Sequence, residues 1–253
     1  MLSKETYNKD DQQKIIEVVQ LFKKFAGKQV LNGFDIDLYN GECLVVIGKS
    51  GSGKTVMIRC MVGLMTGESG QIKILDKSIP DLDQKELDEL RLHIGFLFQG
   101  SALYDSMSVR ENLEFPLRRL RKKYSNKDAV EKLIREVLVS VGLEHTIDLM
   151  PSELSGGMKR RIALARTLIL RPEIIFYDEP TTGLDPITAK EIINLIAEVQ
   201  KKYNTTSLII THDLNVAKLI SNRVVILVDG KNYAEGTYQE MVNSSDPVIK
   251  AFF

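Results

Sequence analysis

The chain has 253 residues, room for one large domain or two small ones, and its 43% hydrophobic and 27% charged residues exclude a disordered or fibrous protein. Its 34 Lys and Arg equal its 34 Asp and Glu, and no local basic patch stands out, so neither a global nor a local field makes nucleic acid a partner. The two cysteines, Cys43 and Cys60, are too few for a disulfide framework or a zinc site and fit a reducing compartment.

The opening MLSKETYNKDDQQK is polar and lacks the apolar core of a secretory signal, so residues 1–13 are expected to be a tail. Residues 15–22 (IIEVVQLF) and 29–38 (QVLNGFDIDL) combine β-branched residues with alternation, which predicts strands of a small antiparallel layer. Asn40-Gly41 then turns the chain into ECLVVIG, an unbroken apolar run of the kind a buried parallel strand shows.

That strand runs into Gly48, Lys49, Ser50, Gly51, Ser52, Gly53, Lys54 and Thr55, followed by the helix-compatible VMIRCMVGLM that Val56 opens. This is GxxxxGK[ST] in its strand, loop, helix setting. Glycines let the backbone curl around an anion without side-chain collision, so successive N–H groups and the helix start point at phosphate oxygens. Lys54 supplies a mobile positive charge toward the β and γ phosphates, and the Thr55 hydroxyl can ligate Mg²⁺.

Between about residues 84 and 170 the texture is helical and rich in charge, in QKELDELRL, SVRENLEFPLRRLRKK and KDAVEKLIREVLVSVGL. The basic run RRLRKK at 118–123 reads most simply as a solvated helix end, with a headgroup or partner contact as the alternative. Gln99, in FLFQG, lies at the edge of this helical stretch, where its amide can meet a metal or an attacking water. Further apolar runs at 173–178 (EIIFYD), 207–211 (SLIIT) and 223–229 (RVVILVD) alternate with helical patterns, which argues for a mostly parallel sheet covered on both faces.

The run ending at residue 178 delivers Asp178 and Glu179 to a strand's C-terminal end, where ligands of parallel sheets collect. Asp178 is placed to hold Mg²⁺ through water, and Glu179 to orient or deprotonate the water that attacks a γ phosphate. His212 follows SLIIT at the same kind of position and can donate a hydrogen bond to that phosphate. His93 and His145 carry no assigned role, and both cysteines are expected as packing. No apolar run approaches the about 18 residues a membrane-spanning helix needs, so any membrane role is peripheral.

GKSGSGKT, Gln99, LSGGM at 154–158, IIFYDEP, TGLD at 182–185 and THD, in this order, resemble the nucleotide-binding domain of ABC-type ATPases from about residue 14 onward. The resemblance implies an α/β fold: the parallel-sheet core of a RecA-like P-loop NTPase, with a small antiparallel β layer and a helical insert subdomain at about 100–165. It implies one nucleotide-binding domain over 14–253, with a C-terminal extension from about 236, that binds ATP and Mg²⁺, the metal being held by Thr55, Gln99 and Asp178. Phe25 falls at the position of the aromatic residue that stacks on adenine, with Phe22 as the rival.

The resemblance also gives LSGG a partner. Two such domains pack head to tail as a homodimer, and the LSGG helix of one closes over the ATP of the other. The residues suit that role, since Ser155 is a plausible N-cap, Gly156 and Gly157 leave N–H groups uncovered, and a helix start favours an anion. Asp185 would then lie at the dimer seam.

Met158 stands where glutamine is most common, and GSALYDSMSVRENLEFPLRR and NSSDPVIKAFF resemble the ATPase subunit of Mce/Mla-type lipid transporters. That similarity implies a phospholipid cargo, a separate integral permease, lipid-binding accessory subunits and a place on the cytoplasmic face of the inner membrane. ABC systems for lipoprotein export or small-solute import share every catalytic residue and remain open.

Overall fold

The computed structural model describes residues 12–120 and 124–253. Most of the expected polar tail, residues 1–11, and the last three residues of the basic run RRLRKK lie outside the described residues. In chain order come β1 (Lys14–Phe25), β2 (Lys28–Tyr39), β3 (Cys43–Gly48), α1 (Lys54–Met61), β4 (Ser69–Ile74), β5 (Lys77–Ser78), α2 (Gln84–Arg91) and β6 (Ile94–Leu97). Then follow α3 (Val109–Glu114), α4 (Lys127–Ser140), α5 (Gly156–Leu168), β7 (Ile174–Asp178) and α6 (Pro186–Tyr203). The chain closes with β8 (Thr206–Thr211), α7 (Leu214–Ile220), β9 (Arg223–Val228), β10 (Lys231–Gly236), α8 (Tyr238–Val242) and α9 (Pro247–Lys250). These elements form two compact units, one running up to Arg91 and resuming over Thr205–Phe253, the other Leu92–Asn204.

The first unit carries two sheets. One is antiparallel in the order β2-β1-β4-β5 and contains both strands expected for the antiparallel layer. In the other, β3 lies between β8 and β9 and pairs parallel with both, while β10 is antiparallel to β9. All six residues of β3 are buried, as are all six of β8. A strand covered on both faces has no polar side to present, which is why CLVVIG shows no alternation. Glu42, fully buried just before β3, accepts from Nε of Arg223 at 2.8 Å and from the Tyr39 amide at 3.0 Å. Arg223 also donates to the Asp37 carbonyl at 2.6 Å and to Glu235 at 3.0 Å. A buried ion pair is tolerable when its remaining donors and acceptors are met in this way.

The second unit holds the parallel pair β6 and β7, registered Leu97 to Tyr177, together with α3 to α6. α5 packs against α4, α6 and β6. The stretch expected to be helical from 84 to 170 contains the strand β6, and SVRENLEFPLRR is helical only as far as Glu114. Phe115–Leu120 continues as a 3₁₀ turn. Pro116 accounts for the change, because its ring has no N–H and collides with the preceding helical turn. Strands β4, β5 and β10 fall outside the runs singled out by periodicity; β5 and β10 lie at sheet edges, while β4 lies between β1 and β5. Among the described residues no helix is long and apolar enough to cross a membrane.

Candidate functional site

In the first unit, β3 ends at Gly48 and α1 begins at Lys54, so the glycine-rich motif is the loop between a buried strand and a helix start. Two glycines are required by space as well as by conformation. A Cβ on Gly48 would stand 2.5 Å from Ser52 Oγ, and one on Gly53 would stand 2.9 Å from the Val30 carbonyl oxygen. Gly53 also has φ of +103°, which side-chain-bearing residues rarely adopt. The loop is therefore wound as tightly as an anion cradle needs.

Lys54 is 8% exposed and folds back over the loop, its Nζ donating to the carbonyls of Gly48 at 2.7 Å and Lys49 at 3.2 Å. Ser52 Oγ is buried without a hydrogen-bond partner among the described residues, a polar atom aimed into the loop. Lys49, Ser50 and Gly51 face solvent, while Thr55 and Val56 are half-buried in the first turn of α1. Tight glycines, a lysine at the loop and an orphaned hydroxyl fit a phosphate chain. A cavity of about 880 Å³ flanks the loop, lined by Val30, Lys49 to Ser52 and, from the end of the chain, Pro247, Val248 and Phe252. Those last residues lie in NSSDPVIKAFF, which stood out in the sequence for its family likeness and not as a lining of the phosphate loop.

His212 belongs to the same unit. The parallel register pairs Ile47 with Thr211, so His212 emerges exposed from β8 beside the strand end that feeds the glycine loop. The Thr211 hydroxyl accepts from the Asp213 amide at 3.0 Å, and Asp213 in turn caps α7. Phe25 ends β1 with 41% exposure and Lys23 Nζ 5.4 Å from its ring centre, whereas the Phe22 ring is half-buried with its tip against Gly33.

The second unit gathers the remaining candidates. The Leu97 to Tyr177 register makes Gln99 and the acidic pair leave neighbouring strand ends. Gln99 is exposed in a turn; Asp178 and Glu179 are each 8% exposed. Glu179 has φ of +49°, and its Oε2 accepts from the Thr182 hydroxyl at 3.3 Å. A non-glycine residue in this region carries backbone strain, which persists where surroundings over-determine the conformation.

Ser155 is the N-cap of α5, its Oγ accepting from the Met158 amide at 3.2 Å. Gly157 has a reason inside the chain: a Cβ there would stand 2.6 Å from Thr188 Cγ2, so α5 and α6 approach closely because it is glycine. Gly156 has ordinary room, with Leu184 3.8 Å away. Asp185 caps α6, accepting at 3.0 Å from the amides of both Ile187 and Thr188. Hydrogen bonds from the Thr188 hydroxyl and amide hold its carboxyl below the usual carboxylate range.

Burial pushes the Cys60 thiol up to about 11 and raises Cys43 as well, so neither offers a thiolate nucleophile near neutral pH. Among the described residues no group of three or more His, Cys, Asp and Glu is arranged to hold a metal. In the first unit Thr55 offers a hydroxyl oxygen, and in the second Gln99 and Asp178 offer amide and carboxylate oxygens, each a hard donor of the kind Mg²⁺ takes.

A glycine cradle with a lysine after a parallel strand, and an acidic pair at the end of another, define an α/β nucleotide-binding ATPase. The model of the ABC transporter family matches residues 31–182. The chain belongs to that family, binds ATP and is an ATPase. It is 38% identical to the methionine import ATP-binding protein MetN of Clostridium tetani, over 86% of this chain and 67% of that protein. It is 36% identical to the intermembrane phospholipid transport system ATP-binding protein MlaF of Haemophilus influenzae, over 95% of this chain and 90% of that one. Among solved structures it resembles the dimeric post-hydrolysis state of the ATP-binding cassette MJ0796 bound to ADP and Pi. The TM-score is 0.80 at 30% identity, covering 88% of this chain and 98% of that one.

Proposed function

We propose that this chain is the ATP-hydrolysing subunit of an ABC transporter that moves phospholipid between bacterial membranes through a separate integral permease. The observation that carries the reading is the near end-to-end match to MlaF, which spans 90% of that protein where the match to MetN spans 67%. Met158 after LSGG and the segment following Gln99 point the same way.

In this reading the loop amides and Lys54 hold the β and γ phosphates, Lys54 exchanging its carbonyl partners for phosphate oxygens. Phe25 stacks on adenine, a choice favoured over Phe22 by its exposure. Thr55, Asp178 and Gln99 hold Mg²⁺, which when bound neutralises charge on the phosphates. Glu179 accepts the proton of the attacking water, and His212 donates a hydrogen bond to the γ phosphate. Ser155, Gly156 and Gly157 of one copy close over the ATP of a second, with Asp185 at the seam. Most of the rate gain comes from positioning and electrostatics. The chain, one domain over 14–253, works as a homodimer on the cytoplasmic face of the inner membrane, beside its permease and lipid-binding accessory subunits.

The higher identity to MetN favours one second reading, small-solute import. The two separate on the assembled complex, purified through this chain with its permease and reconstituted in vesicles. ATP-dependent transfer of labelled phospholipid is the expected result. ATP-driven accumulation of methionine or another small solute, with no lipid transfer, overturns the phospholipid reading.

A further inference from the structure

α5 carries more than the LSGG turn at its start. Arg160, one turn into the helix, is 4% exposed, yet among the described residues no carboxylate is bonded to it. Its Nη1 donates to the Phe98 carbonyl at 2.8 Å, its Nη2 donates to the Thr182 carbonyl at 3.3 Å, and its Nε is buried without a partner among the described residues. The first carbonyl belongs to the residue before Gln99. The second belongs to the residue whose hydroxyl donates to Glu179 Oε2. One guanidinium thus bridges the backbone next to Gln99 and the turn that follows Glu179.

Arg166, further along the same helix, holds the far side of the Gln99 loop. It donates to the Ser101 carbonyl at 3.3 Å and to Asn112 Oδ1 at 3.4 Å, with the Tyr104 ring 5.7 Å away. Ser101 and Ala102 both have positive φ, +62° and +49°, so the clamped loop is itself in an uncommon conformation. Burial works against the Arg160 charge, and the Asp178 carboxylate works for it. Retaining a charge there is costly if packing is its only use, because a neutral side chain of similar length would fill the same space. Joining two carbonyls through one planar fork suits arginine and not lysine.

We propose that Arg160 is a positioning residue for hydrolysis: it fixes the Gln99 loop and the turn after Glu179 to the helix that begins with Ser155. The three segments then respond together when the LSGG turn meets a phosphate. The proposal rests on the roles assigned above to Gln99, Glu179 and LSGG. It differs from a packing role in what it predicts for kinetics. A group that aligns the hydrolytic residues affects the chemical step and leaves nucleotide binding intact.

The test uses the full chain with its permease and compares Arg160→Gln, Arg160→Lys, Gln99→Ala, Glu179→Gln and the double variant Arg160→Gln with Gln99→Ala. The expected result is a kcat reduced about tenfold or more in both Arg160 variants, with KM for ATP within about twofold of wild type. The double variant is expected to lose little more than Gln99→Ala alone, because both changes act through one loop. Thermal unfolding identifies any variant that fails to fold; Arg160→Lys keeps the charge on a single nitrogen and loses the fork, so it tests the bridge if Arg160→Gln does not fold. Unchanged kcat, a rise in KM alone, or losses that multiply in the double variant overturn the proposal. If Gln99→Ala and Glu179→Gln both keep full turnover, it is the underlying assignment of the site that fails.

Discussion

Glu179 combines three properties at one position: it is 8% exposed, its backbone is left-handed, and its carboxylate accepts from Thr182. Strain and burial of this kind collect where geometry serves chemistry. Glu179→Gln keeps the size and the acceptor oxygen but removes the base. We expect kcat to fall by at least about 100-fold, the low end of what a positioned base supplies, with ATP binding intact. The variant is expected to accumulate an ATP-bound dimer, read by light scattering; an ATP-treated variant that stays monomeric while wild type dimerises contradicts the assigned role. At this scale the sequence was most informative where chemistry restricts the alphabet. GKSGSGKT and the acidic pair announce themselves because few residue types serve a phosphate cradle or a strand-end base. Arg160 did not, because its partners are backbone carbonyls that leave no trace in side-chain identity.

Helix starts show how a single element can hide two roles in one residue. Asp185 caps α6 through the amides of Ile187 and Thr188, with Pro186 opening the helix, so its presence is explained without any dimer. Substitution separates the explanations. Asp185→Ala is expected to lower the melting temperature by removing the cap, while Asp185→Asn, also a good cap, leaves it nearly unchanged. If Asp185 in addition serves the seam, Asp185→Asn reduces ATP-dependent dimerisation and turnover despite its normal melting temperature. Full activity in Asp185→Asn would confine the residue to capping. Gly157 likewise has a reason inside the chain, since Thr188 already requires a glycine there. The strands β1, β2, β3, β7, β8 and β9 were legible from periodicity, whereas β4, β5, β10, the four-residue β6 and the 3₁₀ turn after α3 were not. Short elements take their form from neighbours that local sequence does not specify.

At the scale of the whole molecule, the proposed site needs two copies of the chain, and mixing experiments reveal whether it does. Lys54→Met disables one half of the site and Ser155→Arg the other, so each variant alone is expected to be inactive, while Ser155→Arg still binds nucleotide. An equimolar mixture is expected to recover about a quarter of wild-type turnover, because random pairing makes roughly half the dimers mixed and each mixed dimer has one complete site of two. No recovery, in a mixture shown to exchange subunits, contradicts the cross-chain arrangement. The motif order made the family legible over most of the chain, yet cargo was not, because the residues that hydrolyse ATP do not touch what is transported.

The place of β3 in its sheet has a consequence for how the protein is made. Its neighbours, β8 and β9, are drawn from residues 206–228, so the strand that feeds the glycine loop is translated long before anything exists to pair with it. Leu92–Asn204 is continuous in sequence, but the unit to which β3 belongs cannot close until Thr205–Phe253 follows. Through that interval CLVVIG is an apolar segment without its strand partners, and stalled synthesis before residue 206 would leave it as a sticky edge.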